Sequence, residues 1–491
     1  MHKHLRIALA TAATAALTGG LLTFTTTTAL AADSVHHHEA DFNGDGYGDT
    51  AFSAGNATVS GKKEAGQIVA LYGSANGVTS SNRKTVSQNT TGVPGSAETG
   101  DGFGWVSAYG DFNADGFDDL AVSASYEDVD GDTDGGTVLI LWGSSAGLTG
   151  GTTIKDPAVS SHDRWGHTLA AGDFDGDGKD DLAVGSSAST IYVFKGGISP
   201  SGSYGGRYTV KPDIISGGQY AGPLNLTAGD VNGDKKTDLV VDGFETDSDY
   251  GWNTNYYIPG TDSGLDSNAA VQLKRGVITA IGDVNGDSYG DIVTGQEWDP
   301  ATDGTPSVPE SVDGGQVHLI YGSADGPAYT VAVTQDSGSV PGSSERGDWF
   351  GGELSLGDVN GDGFQDLAVA ASGENLNGIV NTGAVTVLYG SASGLNTSSG
   401  SQYFAQSTAG VPGTDEKNDY FGSEVKLTDV TNDGHADLLV GANGENDFNG
   451  ALTYLPSGGA KITTTGARSL APSAVGVSTD GYPVFGSNAA N

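Results

Sequence analysis

Seven stretches of this chain set carboxylates at alternating positions: "DFNGDGYGD" from residue 41, "DFNADGFDD" from 111, "DFDGDGKDD" from 173, "DVNGDKKTD" from 230, "DVNGDSYGD" from 283, "DVNGDGFQD" from 358 and "DVTNDGHAD" from 429. Acids at positions 1, 5 and 9 recur in every copy. Like charges at that spacing repel unless a cation lies among them. Calcium takes six to eight oxygen ligands at about 2.3–2.6 Å, and a tight loop supplies them from positions 1, 3, 5 and 9 plus the carbonyl of position 7. The candidate ligands of the first three loops are Asp41, Asn43, Asp45, Tyr47 and Asp49; Asp111, Asn113, Asp115, Phe117 and Asp119; and Asp173, Asp175, Asp177, Lys179 and Asp181. Those of the last four are Asp230, Asn232, Asp234, Lys236 and Asp238; Asp283, Asn285, Asp287, Tyr289 and Asp291; Asp358, Asn360, Asp362, Phe364 and Asp366; and Asp429, Thr431, Asp433, His435 and Asp437.

An EF-hand places Glu at position 12 between helices, whereas position 12 here is apolar, as in Val184, and runs into a strand. The competing reading is that N-G-D-G is merely good turn chemistry. A turn needs only its central Gly or Asn and has no use for acids at positions 1, 5 and 9, so metal is the preferred reading. Magnesium fits less well, because it prefers fewer protein ligands and retained water. Position 6 is Gly46, Gly116, Gly178, Gly363 or Gly434 in five loops but Lys235 and Ser288 in the other two, and loop seven has Thr431 at position 3. Loops one, two, three and six are therefore expected to bind tightest, loops five and seven more weakly, and loop four most weakly.

The elements around the loops also repeat. Eight residues before the first Asp stand Phe103-Gly104, Trp165-Gly166, Phe350-Gly351 and Phe421-Gly422. After the last Asp comes a β-type run such as "LAVSAS" or "LVVDGF", and then a second ending in an aromatic and a turn, such as "VALYGSANGV" or "LILWGSSAGL". Loop starts are separated by 70, 62, 57, 53, 75 and 71 residues, which suits one small sheet per repeat. The expected fold is all-β: a seven-bladed β-propeller of four-stranded blades, with the acidic loops between strands one and two. A ring leaves no sheet edge only if its ends join. The closing "FGSNAAN" carries an aromatic-Gly start without an acidic loop, and the loop at 41 lacks that start. Residues of about 482–491 are expected to complete the first blade; the alternative is that residues 35 to 40 form that strand.

With these features the chain resembles the FG-GAP, or integrin-α-like, β-propeller family over about residues 40 to 491. The family's usual "GAP" is replaced by "SAS", "GSS" and "AAS", and the fourth and fifth copies lack the aromatic-Gly pair, having "YAGPLNL" and Arg275-Gly276 instead. Those two blades are expected to start irregularly. The resemblance implies calcium in the loops and adhesion or ligand binding by the propeller.

Composition bounds the partners. Lys and Arg number 21 against 61 Asp and Glu, a net charge of −40 that disfavours nucleic acid and anionic membranes. Residues 1–31 read as a secretory signal peptide of bacterial type, with Lys3 and Arg6 ahead of an apolar run and cleavage near Ala31; residues 32–491 read as one propeller domain. No later run is long and apolar enough to enter a membrane. There is no Cys, so metal is the staple that a secreted chain has available. A secreted monomer is expected.

The loops that join strands two and three vary most. "YEDVDGDTDGG" from 126, "FETDSDYGWNTNYY" from 244 and "QEWDPATDGTPSVPESVDGG" from 296 carry Tyr126, Tyr250, Trp252 and Trp298, which are suited to stacking on a sugar or gripping a peptide side chain, or to packing their own loops. No G-x-S-x-G elbow, H-E-x-x-H pair or Cys nucleophile is found. His36 to His38, His162, His167, His318 and His435 form no catalytic pattern. The expected function is an extracellular calcium-binding module that binds a glycan or protein on the face opposite the acidic loops, and not an enzyme. The alternative is a calcium-dependent polysaccharide-degrading enzyme on the same scaffold.

Overall fold

The computed structural model describes residues 39–218 and 221–490. Residues 1–31, read above as a signal peptide, and His36 to His38 lie outside the described residues. Seven antiparallel sheets follow one another along the chain, six with four strands and the first with three. Blade two is representative, with strands Ser107–Gly110, Asp119–Ala124, Thr137–Trp142 and Thr149–Ile154. Its second strand is buried at every residue, because in a propeller each sheet is covered on both faces by its neighbours. The outermost strand is mostly half-exposed, which is why its sequence carries Thr and Gly in place of the Leu–Ala–Val run.

The apolar core accordingly lies between blades. One cluster joins Val284, Val293 and Leu319 of blade five to Phe350, Leu354 and Leu367 of blade six. Position 2 of every acidic loop supplies a wedge to these interfaces: Phe42, Phe112, Phe174, Val231, Val284, Val359 and Val430 are all 0% exposed. Burial of such a side chain contributes roughly 1.5–3 kcal/mol, so each loop is pinned by a residue lying between its first two candidate ligands.

The C-terminal segment closes the ring. Ala489 bridges Phe52 in antiparallel fashion, Ser53 N–H donates to the Asn488 carbonyl at 2.7 Å, and Ala490 N–H donates to the Ala51 carbonyl at 2.8 Å. This supplies the fourth, innermost strand of blade one. Its register matches blade two, where Ser107 pairs with Val122 four residues after Phe103, just as Ala489 lies four residues after Phe485.

Blades four and five do not start irregularly, contrary to expectation. Their first strands, Asn225–Gly229 and Ile278–Gly282, pair without a break along their whole length. The irregularity belongs to blades six and seven, where the register shifts between Phe350 and Leu354 and between Phe421 and Glu424. In these two blades the strand runs back to include the aromatic-Gly pair and the bulge falls there, whereas in blades two and three the pair precedes a first strand that pairs without a shift. Among the described residues no helix is long and apolar enough to cross a membrane.

Candidate metal loops and the opposite face

All seven acidic loops share one hydrogen-bonded frame. The position-6 N–H donates to a carboxylate oxygen of position 1 at 2.7–2.9 Å, from Gly46 to Asp41 through to Gly434 to Asp429. The position-7 N–H donates to Oδ1 of position 5 at 2.9–3.1 Å. These bonds fold each loop back over its first aspartate. The position-9 aspartate is buried at the start of strand two, and its Oδ1 accepts an N–H at the end of strand three, as from Gly73 to Asp49 at 2.9 Å and from Gly196 to Asp181 at 2.7 Å. Neighbouring loops are joined as well: Thr237 N–H donates to the Asp173 carbonyl at 2.9 Å, and Ala436 N–H to that of Asp358 at 2.7 Å.

The donor set fits a hard cation. Carboxylate oxygens of Asp173, Asp175 and Asp177 lie within 4.8 Å of one another. Oδ2 of Asp119, Oδ2 of Asp181 and Oδ1 of Asn113 are buried without a hydrogen-bond partner, although buried oxygens are normally satisfied. Burial lifts the carboxyls of Asp49, Asp119 and Asp181 up to about 8, and those of Asp238, Asp291, Asp366 and Asp437 to about 7, with the other loop acids adding to the rise. A bound calcium ion would supply the charge that keeps these groups ionised.

Two features of the loops were not read from sequence. Position 4 is left-handed everywhere, and in loop two it is Ala114, at φ 59°, where the others have Gly or Asn. Lysines also lean on the acids: Lys195 Nζ is 2.5 Å from Asp175, Lys179 is 3.4 Å from Asp177, and Lys236 is 3.5 Å from Asp234. Thr431, by contrast, turns its hydroxyl onto Asp429 at 3.2 Å.

On the opposite face the structure does not gather the four aromatic candidates. Tyr250 and Trp252 stack on each other with centroids 5.1 Å apart, and Tyr250 is half exposed. Tyr126 is held internally, its hydroxyl accepting from Arg164 at 2.6 Å beneath the guanidinium. Trp298 packs against the core between blades five and six. His162 stacks on Trp165, His318 sits within strand Gln316–Ile320, and burial holds His167 neutral with its pKa near 3.

A different aromatic arc is assembled across three blade junctions: Trp349 stacks on Tyr420 at 6.1 Å, Tyr420 meets Phe448 at 6.5 Å, and Phe448 meets Tyr482 edge-on at 6.4 Å. Phe448 and Tyr482 are exposed. Trp349, Tyr420 and Phe448 all adopt left-handed φ, at 58°, 53° and 62°, a costly conformation for bulky residues that clusters at functional surfaces. The sequence signal for two of them is a large residue immediately before an aromatic-Gly pair.

Comparison with known proteins agrees with this architecture. A model of the FG-GAP repeat matches residues 103–141, 350–388 and 421–455, and a model of an FG-GAP-like repeat matches 173–241. The chain is 27% identical over 249 residues to integrin alpha-PS2 of Drosophila melanogaster, covering 45% of this chain and 16% of that protein. It is 32% identical over 148 residues to phosphatidylinositol-glycan-specific phospholipase D of Mus musculus, covering 30% of this chain and 17% of that protein, and 34% identical over 151 residues to its Homo sapiens counterpart, covering 28% and 18%. The chain thus spans less than a fifth of the length of these relatives. Repeats, blade count and ring closure together make this chain an FG-GAP, integrin-α-like β-propeller.

Proposed function

We propose that the chain is an extracellular, calcium-loaded binding or adhesion module whose ligand, a glycan or a protein, is held on the face opposite the acidic loops. The observation that carries this reading is the arc Trp349–Tyr420–Phe448–Tyr482, a row of flat rings, half-buried at Trp349 and Tyr420 and exposed at Phe448 and Tyr482, on loops braced by a rigid ring. Stacking on such rings suits sugar faces and aliphatic or aromatic side chains. The net charge of −40 favours neutral or cationic ligands. Calcium acts in this reading as architecture, since the loops lie at the other end of the blades from the arc. The likeness to integrin alpha and to the phospholipase lies in the propeller repeats and supports a binding role without assigning this chain either protein's partners.

Glycan and peptide arrays probed with and without calcium test the proposal. Binding that falls at least tenfold in Trp349→Ala or Tyr420→Ala, with melting unchanged, is the expected result. Turnover of a polysaccharide panel, or binding indifferent to both substitutions, overturns it.

A further inference from the structure

The linkers into blades two, six and seven share a second pattern that the acidic loops do not explain: Gln88 ahead of Asp101-Gly102-Phe103, Gln335 ahead of Asp348-Trp349-Phe350, and Gln406 ahead of Asp419-Tyr420-Phe421. The glutamines are only 2%, 3% and 5% exposed. Each donates its Nε2 to a glutamate that leaves strand two of the next blade: Gln88 to Glu127 at 2.5 Å, Gln335 to Glu374 at 2.9 Å, and Gln406 to Glu445 at 2.5 Å. Oε1 of all three glutamines is buried with no hydrogen-bond partner. Turning the amide over would set that oxygen against a carboxylate oxygen, so the donor chemistry fixes which end is left unsatisfied.

The aspartates are buried too, at 3%, 0% and 2% exposure. One oxygen of each accepts a local N–H, from Glu98 at 2.6 Å, Glu345 at 2.7 Å and Glu416 at 2.8 Å, and the second oxygen of Asp348 has no partner. Beneath the larger effect of burial, one carboxyl of each pair pushes the other's pKa up: Asp101 that of Glu127, Glu374 that of Asp348 and Glu445 that of Asp419. A V-P-G turn closes over the amide: a Cβ on Gly342 or Gly413 would lie 2.7 or 2.8 Å from Nε2 of Gln335 or Gln406. Blades one and three, which also begin with an aromatic-Gly pair, have Ala57 and Ser189 in place of the glutamate, and their preceding linkers contain no glutamine.

We infer that these junctions are three further cation sites, separate from the acidic loops, each holding a hard divalent ion between a glutamine carbonyl, an aspartate and a glutamate of adjacent blades. Two carboxylates and one neutral amide oxygen balance a 2+ charge, and an all-oxygen set selects calcium or magnesium over softer metals. Because Trp349 and Tyr420 directly follow two of the aspartates, such ions would stiffen the aromatic arc.

The test is the full chain crystallised in saturating calcium and measured at long X-ray wavelength. An anomalous peak at each junction, with Gln335 Oε1 and Asp348 Oδ1 at about 2.3–2.6 Å from the middle one, is expected. A water, or no density, at all three overturns the inference. In Glu374→Gln the peak at its own junction should vanish while those beside Gln88 and Gln406 and those in the acidic loops persist, which separates loss of a ligand from misfolding. Retention of the peak in that variant also overturns it. In solution, native mass spectrometry should count one ion fewer in each of Glu127→Gln, Glu374→Gln and Glu445→Gln, and unchanged counts in all three speak against the sites.

Discussion

Lys195 Nζ lies 2.5 Å from Oδ2 of Asp175, so the ammonium group occupies one oxygen of a candidate calcium ligand in loop three. Lys195 stands at the end of strand three, where blades one, two, five and six have Tyr72, Trp142, Tyr321 and Tyr389, and loop three is the only one of the seven with an acid at position 3. The extra acid and the extra base are thus partners. The bond to Asp175 is the main reason that the pKa of Lys195 is raised. Lys195→Met should remove a competitor: calcium uptake by loop three tightens by roughly tenfold, about 1.4 kcal/mol, while the calcium-free protein melts lower because Asp175 loses the counter-charge of Lys195. Calorimetric titration and melting in chelator check both halves. Uptake that weakens in the variant would show the lysine to be an organiser of the loop instead.

Backbone strain makes a second prediction. Gly44 and Gly46 both adopt left-handed φ, at 68° and 84°, but a Cβ on Gly44 would meet the Phe117 ring of the next loop at 2.6 Å, whereas one on Gly46 comes no nearer than 3.9 Å to anything. Gly46→Ala should therefore cost about 1–2 kcal/mol from conformation alone, and Gly44→Ala distinctly more. Ala114 already pays that conformational cost at position 4 of loop two. Ala114→Gly should stabilise the protein by up to about 1 kcal/mol, and denaturant midpoints of the three variants rank the effects.

Much of this fold was legible because a propeller repeats its instructions. The acids at positions 1, 5 and 9 recur with one hydrogen-bonded frame, and counting eight residues back from Asp41 across the chain ends placed Phe485 correctly. The pieces that escaped are those fixed by neighbours. Lys195 is 20 residues from Asp175 and meets it only because strand three runs back beside the loop. Trp349 and Tyr420 are 71 residues apart and stack because adjacent blades present the same position. Tyr126 looked available until Arg164 from the next linker covered it. The start of blades four and five was misjudged because a first strand pairs by its backbone and stays regular without the aromatic-Gly pair.

Ring closure gives a third prediction. Residues 486–490 contribute the hydrogen bonds of Gly486, Asn488 and Ala490 to blade one, and Phe485 is fully buried. Removing residues 485–491 would expose the inner edge of strand Thr50–Ala54, an invitation to pairing with another chain. The truncated protein should melt at least 10 °C lower, given a loss of several kcal/mol, and should self-associate on size-exclusion chromatography. Phe485→Ala should do the first without the second, since it leaves the backbone strand in place.

The position-9 aspartates tie stability to pH with opposite signs in the two metal states. Without metal, burial raises their pKa from 3.8 in the unfolded chain to about 7 or 8 in the fold. Between those values the folded state binds more protons than the unfolded one, so stability falls as pH rises. The calcium-free protein should therefore be most stable near pH 4 to 5 and lose on the order of 10 °C in melting temperature by pH 8. With calcium the ion takes the place of the proton. Each filled site adds roughly 2.7 kcal/mol at 100 times its dissociation constant, and acid now removes stability by displacing the metal. Melting curves between pH 4 and 8, in chelator and in excess calcium, should cross. If melting in chelator rose steadily with pH, the buried carboxyls would have to be ionised without a cation, and the metal reading of the loops would lose its physical basis.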